Sequence, residues 1–143
     1  MLDEERIKAF TMTRSEKAMV VDVVKSVLSR EDNVLMAFLY GSFLEDRPFR
    51  DVDIGIVLRE GSDVDHFYEF ELADRLERSV GGEFPFDVRV VNNAPFTFLY
   101  YVVQGELLVC RDRDAYADLV TAVARRYHDI EPVLRHYRKE AYG

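Results

Sequence analysis

The sequence predicts an α/β (α+β) fold, in which helices flank a small mixed β-sheet and further helices close the C-terminus. Two observations carry this. Segments with apolar residues at helical spacing alternate along the chain with segments of period two, in the order α-β-β-α-β-α-β-α. One strand-length run, Val34 to Tyr40, is almost wholly apolar, as a strand buried on both faces requires. The length of 143 residues, with 48% hydrophobic and 32% charged, suits one domain spanning 1–143, with a real core and no need of disulfides.

The elements follow in order. Thr13-Arg14-Ser15-Glu16 is a capping box, and Val20, Val23, Val24, Val27 and Leu28 then form a helical stripe. Glu31-Asp32-Asn33 ends it and the apolar run 34–40 follows. From Asp51 to Leu58 the period is two. Val52, Ile54, Ile56 and Leu58 share one face, and Asp51, Asp53, Gly55 and Val57 share the other. A helix is expected over 64–80, packed through Phe70, Ala73, Leu76 and Val80 and stopped by Gly81-Gly82. Phe86 to Val91 alternates again, with Asp87, Arg89 and Val91 on one face. Asn93-Ala94-Pro95 opens a helix packed through Phe96, Leu99, Tyr100 and Val103, which Gly105 closes. Leu107 to Cys110 is a short strand. The helical tail, about 112–143, carries Tyr116, Leu119, Val120, Val123, Ala124 and Tyr127 on one stripe. Pro132 predicts a break near Asp129 and a separate final helix with Val133, Leu134 and Tyr137.

Composition narrows the function. The net charge is −8, which argues against broad nucleic-acid binding. It leaves a nucleotide substrate open, because divalent ions held by carboxylates reverse the local field. No run approaches the ~18 uninterrupted apolar residues of a membrane span. The charged start MLDEERIKAF lacks the apolar region of a signal peptide, so the cytoplasm is the expected compartment. The one cysteine, Cys110, has no partner for a disulfide and no cluster for zinc.

Three carboxylates carry the chemistry. Asp51 and Asp53 project from one strand face, and Asp87 sits on the polar face of another strand. If those strands are neighbours, about 4.8 Å apart, the three converge. Their mutual repulsion then calls for a hard divalent cation, and Mg²⁺ is the usual partner of carboxylates and phosphates. Two such ions could clamp the attacking and leaving oxygens of an in-line displacement at phosphorus. Taken singly, each Asp also reads as a solvated strand-end carboxylate. Gly41-Ser42 ends the buried strand, where a close backbone approach and successive N–H groups suit an anion.

These residues resemble a known family. Leu39-Tyr40-Gly41-Ser42, eight residues, then Asp51-Val52-Asp53-Ile54 is similar to the signature of the DNA polymerase beta nucleotidyltransferase superfamily. The length is similar to its minimal (MNT) branch, many of whose members are antitoxins paired with a HEPN-domain toxin. Phe86-Asp87-Val88-Arg89-Val90-Val91-Asn92-Asn93-Ala94-Pro95, Val103-Gln104-Gly105-Glu106-Leu107-Leu108 and Tyr127-His128-Asp129-Ile130-Glu131-Pro132 extend the similarity. The resemblance implies a nucleotidyltransferase fold in which Gly41 and Ser42 bind the triphosphate. Asp51, Asp53 and Asp87 would be the catalytic, Mg²⁺-binding carboxylates, with Asp87 helping to activate an acceptor hydroxyl. The implied activity is transfer of AMP from ATP to a tyrosine of a HEPN ribonuclease toxin, with no direct nucleic-acid binding and no membrane. The alternatives are an antitoxin acting by contact alone and a small-molecule adenylyltransferase. The connection Phe43 to Arg50 is shorter than the roughly ten residues common in the family, so the short helix usual there is expected to be trimmed. Arg47 and Arg50 in it read equally as phosphate or partner contacts and as solvated loop residues.

Other residues have plainer readings. His66, His128 and His136 fit no metal spacing, and Phe96 to Tyr101 reads as core and interface. Tyr137 and Tyr142, among basic residues, suit a protein interface as well as they suit packing.

Overall fold

A computed structural model describes residues 8–142, without the side chains at 133, 134 and 136–142. Helix α1 (Arg14–Ser29) leads into β1 (Val34–Tyr40), a single 3₁₀ turn (Ser42–Leu44) and β2 (Val52–Leu58). Then come α2 (Tyr68–Ser79), β3 (Phe86–Val90), α3 (Phe96–Val103), β4 (Glu106–Cys110) and α4 (Arg113–Tyr142). The predicted order is thus found, and the trimmed connection after Ser42 holds the 3₁₀ turn and an isolated bridge between Phe49 and Phe10.

The capping box at the start of α1 forms as expected. Thr13 Oγ1 accepts from the Glu16 N–H at 3.1 Å, and the Glu16 carboxylate accepts from the Thr13 N–H at 2.9 Å. The sheet has the order β3-β2-β1-β4. β1 pairs antiparallel with both β2 and β4, and β2 pairs parallel with β3. A parallel neighbour needs a crossover, and α2 supplies it between β2 and β3.

Both sheet faces are covered. On one, Val20, Val24 and Leu28 of α1 and Leu72 and Leu76 of α2 pack on Ala37, Leu39, Val52, Ile54 and Ile56. On the other, α3 and α4 cover Met36, Phe38, Tyr40 and Val91. Alternation along β1 turns Ala37 and Leu39 to the first face and Met36, Phe38 and Tyr40 to the second. Gly55 brings α3 close, because a Cβ there would lie 2.8 Å from a Val102 methyl.

Three expectations are corrected. Helix α2 faces the core through Leu72 and Leu76, while Phe70 is 75% exposed. The i, i+4 pair Leu72/Leu76 defines the inward stripe, and Phe70 lies two residues, about 200°, around the helix from Leu72. In α3, Leu99 and Val103 pack on the sheet as expected, but the fully buried residue is Val102, with Phe98 beside it, because Gly55 opens its berth opposite Val102. The break at Pro132 does not occur: α4 runs as one helix from Arg113 to Tyr142. Proline there forfeits one backbone bond, which a helix can absorb as a local distortion without ending. The side chains of Val133, Leu134, His136, Tyr137 and Tyr142 lie outside those described.

Two substitutions test this packing. Gly55→Val drives a side chain into Val102 and should cost about 1–3 kcal/mol in urea unfolding. Phe70→Ala should leave the urea midpoint within about 0.5 kcal/mol, as for other exposed positions.

Candidate active site

The site begins with strand register. Tyr40 of β1 is opposite Asp53 of β2, and Asp53 is opposite Asp87 of β3. The three form one row across the sheet. Asp51 precedes β2 by one residue and shares the face of Asp53 by the period of two. One carboxylate oxygen from each of Asp51, Asp53 and Asp87 lies within 4.8 Å of the others. Among the described residues this is the one group of three acidic, histidine or cysteine side chains close enough to share an ion. His66 and His128 lie apart from it, exposed.

Residues that sequence reasoning passed over hold the row in place. Asn92 accepts from the Leu58 N–H and donates its amide to the Leu58 carbonyl, both at 2.9 Å. Its side chain imitates one more strand residue and locks β3 to β2. Glu69 of α2 accepts from the Val90 N–H at 2.7 Å on the opposite edge of β3. Arg89, on the same face as Asp87, donates to its carboxylate at 3.3 and 3.4 Å. Spacing does foretell the Arg89 contact, through i, i+2 on one strand face. The partners of Asn92 and Glu69 lie 34 and 21 residues away, and no local pattern reveals them.

Gly41 has a φ of 87°, a region that disfavours side chains, and a Cβ there would collide with the Asp53 carboxylate. The Gly41-Ser42 backbone therefore lies directly against the acidic row. In the 3₁₀ turn the Leu44 N–H donates to the Gly41 carbonyl at 3.2 Å and the Glu45 N–H to that of Ser42 at 3.0 Å. The amides of Ser42 and Phe43 take no part in the turn's own bonds. Arg47 is tied to the exposed Glu45, and the charge of Arg50 reaches Asp51.

Electrostatics matches this crowding. Burial, followed by the charges of Asp51 and Asp87, pushes Asp53 up to about 7. Burial and then Asp87 also raise Asp51. The Tyr40 phenol is raised by burial and by the charges of Asp53 and Asp87. Three converging carboxylate oxygens, two of them on groups whose ionisation burial opposes and the third paired with one guanidinium, fit a hard divalent cation well.

The sequence profile described as "Polymerase beta, Nucleotidyltransferase" matches residues 22–114. No curated protein matches significantly. Several solved structures share the fold. A chain from a toxin–antitoxin crystal structure with AMP-PNP is 16% identical, with a TM-score of 0.64 over 86% of this chain and 98% of that one. One from the MntA–HepT toxin–antitoxin is 12% identical, with a TM-score of 0.60 over 92% and 100%. One from a complex of a tri-AMPylated Shewanella oneidensis HEPN toxin with an MNT antitoxin is 14% identical, with a TM-score of 0.60 over 92% and 100%.

The raised pKa of Asp53 fixes a pH dependence. An unfolded aspartate titrates near 3.9 and folded Asp53 at about 7, so between these values the folded state holds the extra proton. In metal-free buffer this group's contribution is full below about pH 4 and lost as pH rises through 7. Thermal melts should show that loss, Asp53→Asn should flatten it, and millimolar Mg²⁺ should raise the Tm more at pH 8 than at pH 5. Asn92→Ala, which orphans the N–H and carbonyl of Leu58, should cost about 1–3 kcal/mol in urea unfolding.

Proposed function

The chain belongs to the polymerase beta nucleotidyltransferase family, and from that premise we propose that it is a magnesium-dependent antitoxin that transfers AMP from ATP to a tyrosine of a partner HEPN ribonuclease toxin. The observation that carries this is the convergence of Asp51, Asp53 and Asp87 within 4.8 Å, directly against the backbone of Gly41. Similarity of fold to an MNT antitoxin partnered with an AMPylated toxin and to a toxin–antitoxin with an ATP analogue supports the substrate and the partner. This reading places the pair in the cytoplasm, where ATP and magnesium are supplied.

Each residue then has a task. Asp51, Asp53 and Asp87 would hold two Mg²⁺ ions, which when bound neutralise the phosphates and lower the charge barrier to attack. Gly41 lets the triphosphate approach the main chain, and Ser42 offers its hydroxyl and its amide. The Asp87 carboxylate takes the proton from the acceptor hydroxyl, since a neutral hydroxyl is a poor nucleophile. The acceptor oxygen bonds to the α-phosphorus as the bond to the bridging oxygen breaks, and pyrophosphate leaves with the electron pair. Catalysis here is mainly positioning and electrostatics.

Incubation with ATP labelled at the α-phosphate, Mg²⁺ and a HEPN protein from the same genome tests the reading. Label should appear on a partner tyrosine. Asp51→Asn combined with Asp53→Asn should cut transfer at least ~100-fold, and Gly41→Ala should impair it through the collision with Asp53. Neutralisation of the toxin that survives the double mutant would identify an antitoxin acting by contact alone.

A further inference from the structure

Lys17 stands where helix α1 calls for an apolar residue. It continues the buried stripe of Val20, Val24 and Leu28 toward the N-terminus of the helix, and it is partly buried while Glu16 and Ala18 beside it are exposed. Its ammonium donates to the Glu45 carbonyl at 2.8 Å and lies 5.2 and 5.4 Å from the centres of the Phe43 and Phe49 rings. We infer that Lys17 is a positioning residue, which fastens the Ser42–Leu44 turn and so presents the amides of Ser42 and Phe43 to a nucleotide's phosphates. The inference rests on the nucleotidyltransferase reading above. It adds a residue upstream of the segment 22–114 that matches the family.

The connection from Ser42 to Asp51 needs such a tie. Within it only Phe43 and Phe49 are buried. Its one 3₁₀ turn closes with the Glu45 N–H donating to the Ser42 carbonyl at 3.0 Å. Lys17 grips the carbonyl of that same Glu45 and lies over both buried rings, which meet edge to face at 4.8 Å. One side chain from 28 residues before Glu45 therefore holds the connection just after Ser42 and just before Asp51. An ammonium bond to a carbonyl is charge-assisted, and the two rings add cation–π attraction. Phe10 braces the far end through paired backbone bonds with Phe49 at 2.7 and 3.0 Å.

The side of approach separates this role from direct phosphate binding. Phe43 and Phe49 belong to the core cluster under α1. Tyr40, which is level with Asp53 in the acidic row, belongs to the cluster on the opposite sheet face. Lys17 thus reaches the turn from the face opposite the carboxylates. Its charge is engaged by a carbonyl and two rings, and it acts on a nucleotide through the backbone of 42–45. Loss of the ammonium frees the turn and leaves intact the strand pairing that sets Asp53 opposite Asp87.

The test compares the full wild-type chain with three variants. Lys17→Met keeps the stem and removes the charge. Lys17→Arg keeps a cation able to donate and to lie over a ring. Lys25→Met removes a cation from the same groove between α1 and the turn, one that makes no bond to the turn among the described residues. Calorimetry with α,β-methylene-ATP and Mg²⁺ should show Kd raised at least tenfold in Lys17→Met, within threefold of wild type in Lys17→Arg and unchanged in Lys25→Met. Binding of Mn²⁺ alone should stay within twofold in all three. In transfer assays with a HEPN partner, Lys17→Met should raise KM for ATP more than it lowers kcat. In the wild type the Lys17 ε-methylene protons should be shifted upfield by the two rings, a reading that depends on no variant's folding. An unshifted Lys17 signal, an unchanged nucleotide Kd in Lys17→Met, or an equal loss of Mn²⁺ and nucleotide binding would overturn the positioning role and leave the transferase reading standing. Nucleotide binding that depends on Lys17, with no AMP transfer by the wild type, would support the positioning role and sink the transferase reading. A wild-type chain that binds no nucleotide would overturn both.

Discussion

The parallel, in-register pairing of β2 with β3 is the constraint on which the acidic row depends. Asp51 and Asp53 lie together on the chain and need only the alternation of a strand. Asp87 comes from 34 residues beyond Asp53 and reaches it only because those two positions are directly opposite each other. A slip of one residue would turn Asp87 toward the apolar face and bring Phe86 or Val88 in its place. Two side chains guard against that slip. Asn92 extends the ladder on the β2 side, and Glu69 ties the outer edge of β3 to α2.

Convergence of three carboxylates works against folding, and the molecule carries that burden locally. Arg89 offsets part of it by pairing with Asp87. Asp53, pressed between Gly41 and its two acidic neighbours, forms no ion pair among the described residues and keeps a proton well above the usual carboxylate range. The glycine that admits the backbone to Asp53 thus also helps to bury it. A site of this kind is strained until a cation enters, so affinity for metal and strain of the empty state have one origin.

Much of this was legible in the sequence, and the parts that were not share a cause. The element order, the capping box and the two faces of β2 follow from periodicity and local chemistry. So does the pairing of Asp51 with Asp53. Asp87 was legible as a candidate, but its position relative to the pair depended on strand adjacency, which no local pattern encodes. Asn92 carries no local signal of its own, because its partner is Leu58 across the sheet. Phe70 reads as core because it is large and apolar, yet the rotation of α2 is set by Leu72 and Leu76 seated on the sheet. Pro132 reads as a stop signal, but a long helix survives the loss of one bond.

The placement of Tyr40 has one more consequence. Its ring is wedged between Phe98 and Tyr101, at 5.8 and 5.5 Å centre to centre, and its phenol feels the charges of Asp53 and Asp87. The chain contains no tryptophan, so its tyrosines dominate its ultraviolet emission. A cation held by the neighbouring carboxylates would change the field on one of those emitters and so give the protein a built-in optical reporter of occupancy.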